Sequence, residues 1–433
     1  MNIYIKVEIK EREFLSRFIL GAYTALKGNE VYIGDDELLQ LVEKKQLNPG
    51  IILEKSIPPK KSRINQLKNY KKNKCIITSL DEEGGLATID YKKNFAPRRF
   101  SNKTLLYTDM VFCWGRYDYN LNKKLFPRHK KKFLITGNPR YDLLKEKISH
   151  QFSNKHDYSI KKKRIVIISS LMIQALKRES MASLSSLKNN YFKERYFFRK
   201  SISDNYLKLI NNITKLYKDL IVEIWIHPKE SLKKWKAIVP KSKNIKFTEG
   251  KKFILNDNYN DALIYIHNGS LMAFDVLLKK KNVVSFQPIK HRLNKTFPNK
   301  FSKIIYNEKQ IFLLIDKLIK KNNKINFNYE NKINKLINNS KNFDACEMIT
   351  SHWQRYQSNS LEKKNRALFL KIKNKIRLFR QSINYIIYNN KFAPFTTNEI
   401  SILKKKIKKI EPRFAKLDIK LLGPKLISLR KND

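Results

Sequence analysis

Cysteine is scarce in this chain: three in 433 residues, Cys75, Cys113 and Cys346, widely spaced and with no CxxC pair. That excludes a disulfide framework and a cysteine-based zinc site, and it points to a reducing compartment. Cys75 and Cys113 fall inside apolar, strand-like runs and read as small buried side chains. Long apolar runs are missing too. No window reaches the roughly 18–20 uninterrupted apolar residues of a membrane span. The opening MNIYIKVEIKERE carries charges where a signal peptide would be apolar. The expectation is a cytoplasmic protein.

Several motifs are absent as well. There is no GxGxxG after the first strand-like run and no GxxxxGK[ST], which argues against dinucleotide oxidoreductases and P-loop triphosphatases. GxSxG and HExxH do not occur, and no DxD pair follows a strand. No metal and no cofactor is therefore expected. No RNP1-like run, GXXG clamp or zinc finger supports a nucleic-acid partner. Acidic residues are also few, 38 against 91 Lys and Arg, for a net charge of +53. The lysines are spread along the whole chain among Asn and Ile, residue types that share A/T-rich codons, so charge alone says little about function. It leaves attraction to an anionic inner-membrane surface open.

What is present is an alternation. Strand-like runs at Ile3–Ile9, Val31–Gly34, Gly50–Leu53, Cys75–Leu80, Asp109–Trp114 and Lys132–Gly137 are separated by helix-sized stretches. After a lysine-rich stretch the pattern restarts with Arg164–Ser170, Ile221–Pro228, Ile245–Phe247, Ala262–His267 and Asn282–Pro288. Apolar strands alternating with helices predict parallel sheets covered on both faces. The expected fold is α/β: two Rossmann-like domains facing a cleft, with a C-terminal basic helical tail. The expected boundaries are 1–145, a linker at 146–163, 164–360, and a tail at 361–433. In that tail Leu368, Ile372, Ile376, Phe379, Ile383 and Ile387 form an apolar stripe on an otherwise basic helix.

Polar groups gather where strands end. The run ALIYIHNGS leads into His267, Asn268, Gly269 and Ser270 and then into a helical pattern, an arrangement that seats a phosphate. His227-Pro228 ends an upstream strand, and Pro228 holds the imidazole at the sheet edge. Two such strand ends in one half of the chain suggest a nucleotide-type ligand. In the first half, Asp81-Glu82-Glu83-Gly84-Gly85 follows a strand. Three adjacent carboxylates repel one another, so one of them can hold a raised pKa and act as a general base toward a hydroxyl. Glu82 and Glu83 are not separable by sequence. Glu8, Arg12, Glu13 and Arg17 cluster at the first strand-to-helix turn, where Arg12 can bind an anionic acceptor or, equally, the charges can be ordinary helical ion pairs. Asn138 can cap a helix starting at Pro139, with Arg140 and Asp142 beside it at a hinge.

The segments VEIKEREFLSR, SLDEEGG, VFCWG, ITGNPRYDLL, WIHPKES, IHNGSLMAFDVLLKKKNVVSFQP, KFAPFTTNEI and LLGPKL occur in that order. Together they resemble the bacterial surface carbohydrate biosynthesis protein family. Its members are similar to GT-B glycosyltransferases and more distantly to capsule sugar transferases and CDP-glycerol glycerophosphotransferases. The resemblance implies a nucleotide-sugar donor held at His227, Pro228 and His267–Ser270, with Asp81–Gly85 as the acidic loop. The expected activity is transfer of a sugar, or a polyol phosphate, to a glycan or lipid-linked glycan acceptor. The rivals are a nucleotide-sugar 2-epimerase and a non-enzymatic protein that binds polyanions or a membrane surface.

Overall fold

The computed structural model describes residues 1–84, 91–152, 163–169, 172–176, 190–227, 229–249, 262–321, 330–340, 344–356 and 392–432. Pro228, Gly85 and the apolar stripe Leu368–Ile387 lie outside them. The described residues pack as two units. The first takes its residues from Met1–Gly85, Asp90–Phe152 and Asn331–Asp433, and the second from Ser153–Glu330.

In the first unit six strands run parallel: β1 (Asn2–Lys6), β2 (Glu30–Gly34), β3 (Gly50–Glu54), β4 (Ile76–Leu80), β5 (Met110–Cys113) and β6 (Phe133–Ile135). Ile3, Ile5, Ile51, Ile52, Leu53 and Ile77 are fully buried. That is the burial expected of β-branched and leucine side chains covered on both sheet faces. Helix Lys10–Leu26 buries Phe14, Phe18, Ile19, Ala22 and Tyr23, the positions that recur at helical spacing. The order β2-β1-β3-β4-β5-β6 reverses direction at β1, so the carboxyl ends of β1 and β3 flank the switch point of this sheet.

The second unit carries β7 (Arg164–Ile168), β8 (Ile221–Ile226), β9 (Ile245–Glu249), β10 (Ala262–His267), β11 (Val283–Phe286) and β12 (Lys303–Ile305), again all parallel. Their order is β9-β8-β7-β10-β11-β12. This is the doubly wound order of nucleotide-binding sheets, with its reversal between β7 and β10. Helix Asn190–Leu216 covers one face and places Ile202, Leu209, Ile210 and Ile213 in the core. β12 was not expected from sequence, because its Lys-Ile-Ile core is too short to show a period.

The C-terminal residues correct the expected partition. Residues 331–340, 344–356 and 392–432 belong to the first unit, not to a second domain ending at 360 or to a helical tail at 361–433. Helix Thr397–Ile410 is followed by β13 (Leu417–Gly423) and β14 (Leu426–Lys431), a hairpin whose β14 pairs antiparallel with β2. LDIKLLG alternates with period two only over Leu417–Leu421, and LISLRK, buried from Leu426 through Leu429, does not alternate, so neither strand stands out among its basic neighbours. The expected linker at 146–163 opens instead with helix Glu146–Phe152, whose Ile148 and Phe152 are buried.

One asparagine fastens the returning chain. Asn339 accepts from Asn138 N (3.0 Å) and donates to Asn138 O (2.8 Å) and Asp142 Oδ1 (2.6 Å). Asp142 in turn accepts from the amides of Ala345 and Cys346, the first residues of helix Ala345–Gln354. Gly137, with φ +80°, leaves room for Asn339 where a Cβ would stand 2.2 Å from Asn339 Oδ1.

Candidate functional site

The carboxyl edge of the first unit's sheet gathers most of its buried charge. After β4, Asp81 Oδ1 accepts from Glu83 N (2.8 Å) and Gly84 N (3.2 Å), while Asp81 O accepts from Trp114 Nε1 (2.7 Å). Gly84 has φ +58°, and a Cβ there would lie 2.4 Å from the Trp114 ring. The loop is thus seated on an indole that ends β5. Asp81 has a raised pKa, about 6. Burial drives it, opposed by Arg99, whose Nε is 3.4 Å from Asp81 Oδ2. Repulsion from Glu83 contributes less than burial.

The two glutamates are engaged. Glu82 is buried and ion-paired with Arg17, which also donates to Leu80 O (3.3 Å). Arg17 is itself fully buried, and its Nε and Nη1 have no hydrogen-bond partner. Glu83 is exposed and pairs with Arg99. Beside them Asp118 accepts from the amides of Trp114 (2.8 Å) and Gly115 (2.9 Å), and burial raises its pKa to about 7.

At the switch point Glu13 accepts from Glu8 N (2.8 Å), Arg12 Nη2 (2.7 Å) and Lys55 Nζ (2.8 Å). Burial opposes its ionisation, but Lys55 and Arg12 hold its carboxyl below the usual range. Lys55 also reaches Glu8 (2.7 Å). Lys55, just past β3, thus ties the first turn of helix Lys10–Leu26 to Glu8 ahead of it, while Arg12 and Glu13 are neighbours within that helix; none of these is an i, i+4 helical pair. Asn138 accepts from Arg140 N (2.9 Å) and caps the single turn Pro139–Asp142, inside the Asn339 clamp.

In the second unit the polar turns border the reversal between β7 and β10. His267 is fully buried and its Nε2 lies 2.8 Å from Ser302 Oγ. Ser302 Oγ donates to Pro298 O (2.9 Å), which leaves it to accept from Nε2–H and makes Nδ1 the lone-pair nitrogen. Nδ1 is buried without a partner. Burial lowers the imidazole pKa to about 3, so His267 is neutral at pH 7. Asn268 donates to Phe286 O (3.0 Å) and Asn294 Oδ1 (3.1 Å), tying β10 to β11. The Gly269 amide, expected to be free for a phosphate, donates to Asn299 Oδ1 (2.6 Å). Ser270 Oγ accepts from Met272 N (3.3 Å), where helix Met272–Leu278 begins.

His227 follows β8, half-buried, with Nδ1 accepting from Lys229 N (3.1 Å). Its own amide donates to Glu230 (3.1 Å). Glu230 is the residue that sequence reasoning missed here. It is buried and accepts from Ser169 Oγ, Met172 N (2.6 Å) and Trp235 Nε1 (2.9 Å), so one carboxylate ties together the turns after β7 and β8. Burial raises its pKa despite these donors. Lys55, Arg99 and Asp118 are likewise not legible from the sequence; the pairing of Arg99 with Glu83 spans 16 residues and that of Lys55 with Glu13 spans 42. Among the described residues no group of three or more His, Cys, Asp or Glu is arranged to hold a metal ion. No described helix is long and apolar enough to cross a membrane.

No family model and no curated protein sequence matches the chain. Solved structures do. A Listeria monocytogenes protein provisionally assigned as a UDP-N-acetylglucosamine 2-epimerase superposes with a TM-score of 0.52 at 14% identity, over 84% of this chain and 99% of that one. The fold is GT-B-like. Two further structures match at lower TM-scores. One is the UDP-GlcNAc 2-epimerase of Neisseria meningitidis bound to UDP-GlcNAc, with a TM-score of 0.47 at 12% identity, over 82% of this chain and 100% of that one. The other is the wall teichoic acid polymerase TagF, with a TM-score of 0.38 at 13% identity, over 66% of this chain and 69% of that one. At these identities the GT-B-like likeness concerns architecture.

Proposed function

We propose that this protein is an enzyme acting on a nucleotide-activated sugar, and that it transfers the glycosyl group, or a polyol phosphate, to a glycan or lipid-linked glycan acceptor. The observation that carries the reading is the strand order of the second unit. It brings Ser169, His227 and the His267–Ser270 turn to the carboxyl edge on either side of the reversal, where open parallel sheets bind nucleotides. The donor binds there, with His227 and Ser270 as its side-chain contacts and His267 and Asn268 holding the turn. No metal or further cofactor enters the proposed reaction. In the first unit Asp81 takes the acceptor proton, since a carboxyl with a pKa of about 6 is ionised at pH 7 yet basic enough to share that proton. Glu82 orients Arg17, Glu83 orients Arg99, and Arg12 with Glu8 borders the acceptor.

A second reading, epimerisation of the nucleotide sugar itself, draws support from the match over 99% of the Listeria chain. Two measurements separate the readings. CMP, CDP, UDP, GDP and dTDP are tested for a rise in melting temperature, which a native-state ligand produces by mass action. The stabilising nucleotide's sugar is then incubated with protein alone. An intact donor that is consumed only when acceptor is added supports transfer. A donor converted to its epimer without acceptor supports the second reading. No response to any nucleotide overturns both.

A further inference from the structure

We propose that the amino-terminal edge of the first unit's sheet docks on an anionic lipid surface, through a ring of basic side chains around the exposed Leu106. The surface lies at the opposite end of the strands from the acidic loop and does not depend on the reaction assigned above.

The topology makes the patch. β4, β5 and β6 are parallel neighbours, so whatever precedes each of them in sequence arrives at one edge of the sheet. Before β4 comes helix Lys61–Lys72, ending in exposed Lys72 and Lys74. Before β5 comes helix Asn102–Tyr107, with Lys103 exposed and Leu106 62% exposed. Before β6 comes the turn Pro127–Lys132, with Lys130 and Lys131 exposed. These three segments touch: Lys132 Nζ donates to Leu105 O (2.7 Å) and Leu106 O (3.1 Å). Lys71 also lies close enough to depress the pKa of Lys132, after burial and against the pull of Asp109.

Acids are few at this edge. Glu43, which closes helix Asp36–Glu43 before β3, accepts from Asn69 Nδ2 (2.9 Å). At the ends of the three segments themselves, residues 67–74, 101–109 and 123–132, the one acid is Asp109. Both of its oxygens are taken by Lys71 (2.8 and 2.7 Å), and one also accepts from Ile77 N. The buried acids of this unit, among them Glu54, Asp81, Glu82 and Asp118, sit at the carboxyl ends of the strands instead. Lysines near an anionic leaflet are attracted to it within a Debye length. A leucine held out among them adds what a polyanion cannot use, an apolar side chain for the acyl boundary. That combination favours lipid over nucleic acid.

A chain of charge +53 will meet any anionic surface, so the test must locate the contact. The full chain is sedimented with phosphatidylcholine vesicles with and without phosphatidylglycerol. K103E/K130E/K131E is compared with K405E/K408E/K409E, an equal charge change on helix Thr397–Ile410. All variants are first required to keep the parent melting temperature. The edge variant is expected to weaken binding to phosphatidylglycerol vesicles about tenfold or more, and the control by no more than about twofold. L106S is expected to weaken vesicle binding severalfold and leave heparin binding unchanged. Equal losses from both triple variants, or no binding by the parent, overturn the proposal. L106S without effect on vesicles assigns the edge to a soluble polyanion and overturns it equally.

Discussion

Asp81 and Glu82 are sequence neighbours with opposite fates. Asp81 keeps one oxygen on backbone amides and the other, buried and without a hydrogen bond, near Arg99. Its folded-state pKa of about 6 lies above the unfolded value of roughly 3.9. A carboxyl raised on folding contributes stability that is complete below about pH 4 and lost as pH rises through 6, on the order of 3 kcal/mol in total. Asp81→Asn keeps the amide contacts and removes the titration. Its melting temperature relative to the parent is therefore expected to climb between about pH 4 and pH 7. Asp118 titrates in both proteins and cancels; parallel curves would refute the assignment. Under the proposed mechanism the same variant loses turnover while retaining nucleotide binding.

Glu82 shares a buried ion pair with Arg17. Removing one partner from such a pair strands a charge and costs about 3–5 kcal/mol, whereas replacing both with apolar groups is often neutral. Arg17→Met should lower the thermal midpoint sharply, and Arg17→Met/Glu82→Leu should recover most of the loss. Equal damage from the single and double variants would show that the pair does not act as a unit.

At the scale of elements, the first unit is closed by sequence that arrives last. The Asn339 side chain makes three hydrogen bonds across roughly 200 residues of chain separation, and nothing replaces them if it is truncated. Asn339→Ala is expected to cost about 2–3 kcal/mol, through buried groups left unpaired. Limited proteolysis should then cut first within 331–354; an unchanged digestion pattern would remove the clamp from the account. The hairpin β13–β14 covers the edge of β2. Deleting 411–433 leaves that edge's amides and carbonyls open to intermolecular pairing. Concentration-dependent aggregation, followed by light scattering, is the expected result, and a monodisperse product would contradict it.

For the whole molecule, donor binding under the proposed function falls to the second unit alone, so hydrogen exchange with the stabilising nucleotide should gain protection at 172–176, 221–227 and 262–272. Protection confined to the acidic loop of the first unit would invert the assignment.

Period and punctuation in the sequence determined the α/β class, nearly every parallel strand of both sheets and the strand ends where polar groups collect. Those signals are local: β-branched runs, helical spacing, and Asn138 ahead of Pro139 can each be read within a dozen residues. The tertiary structure alone decided the strand order, the return of β14 to the edge of the first sheet, and the burial that raises the pKa of Asp81. Each depends on partners far apart in the chain, such as Arg17 for Glu82 at 65 residues and Ser169 for Glu230 at 61. Burial and pairing set a carboxyl's chemistry, and neither is a property of its neighbours in sequence.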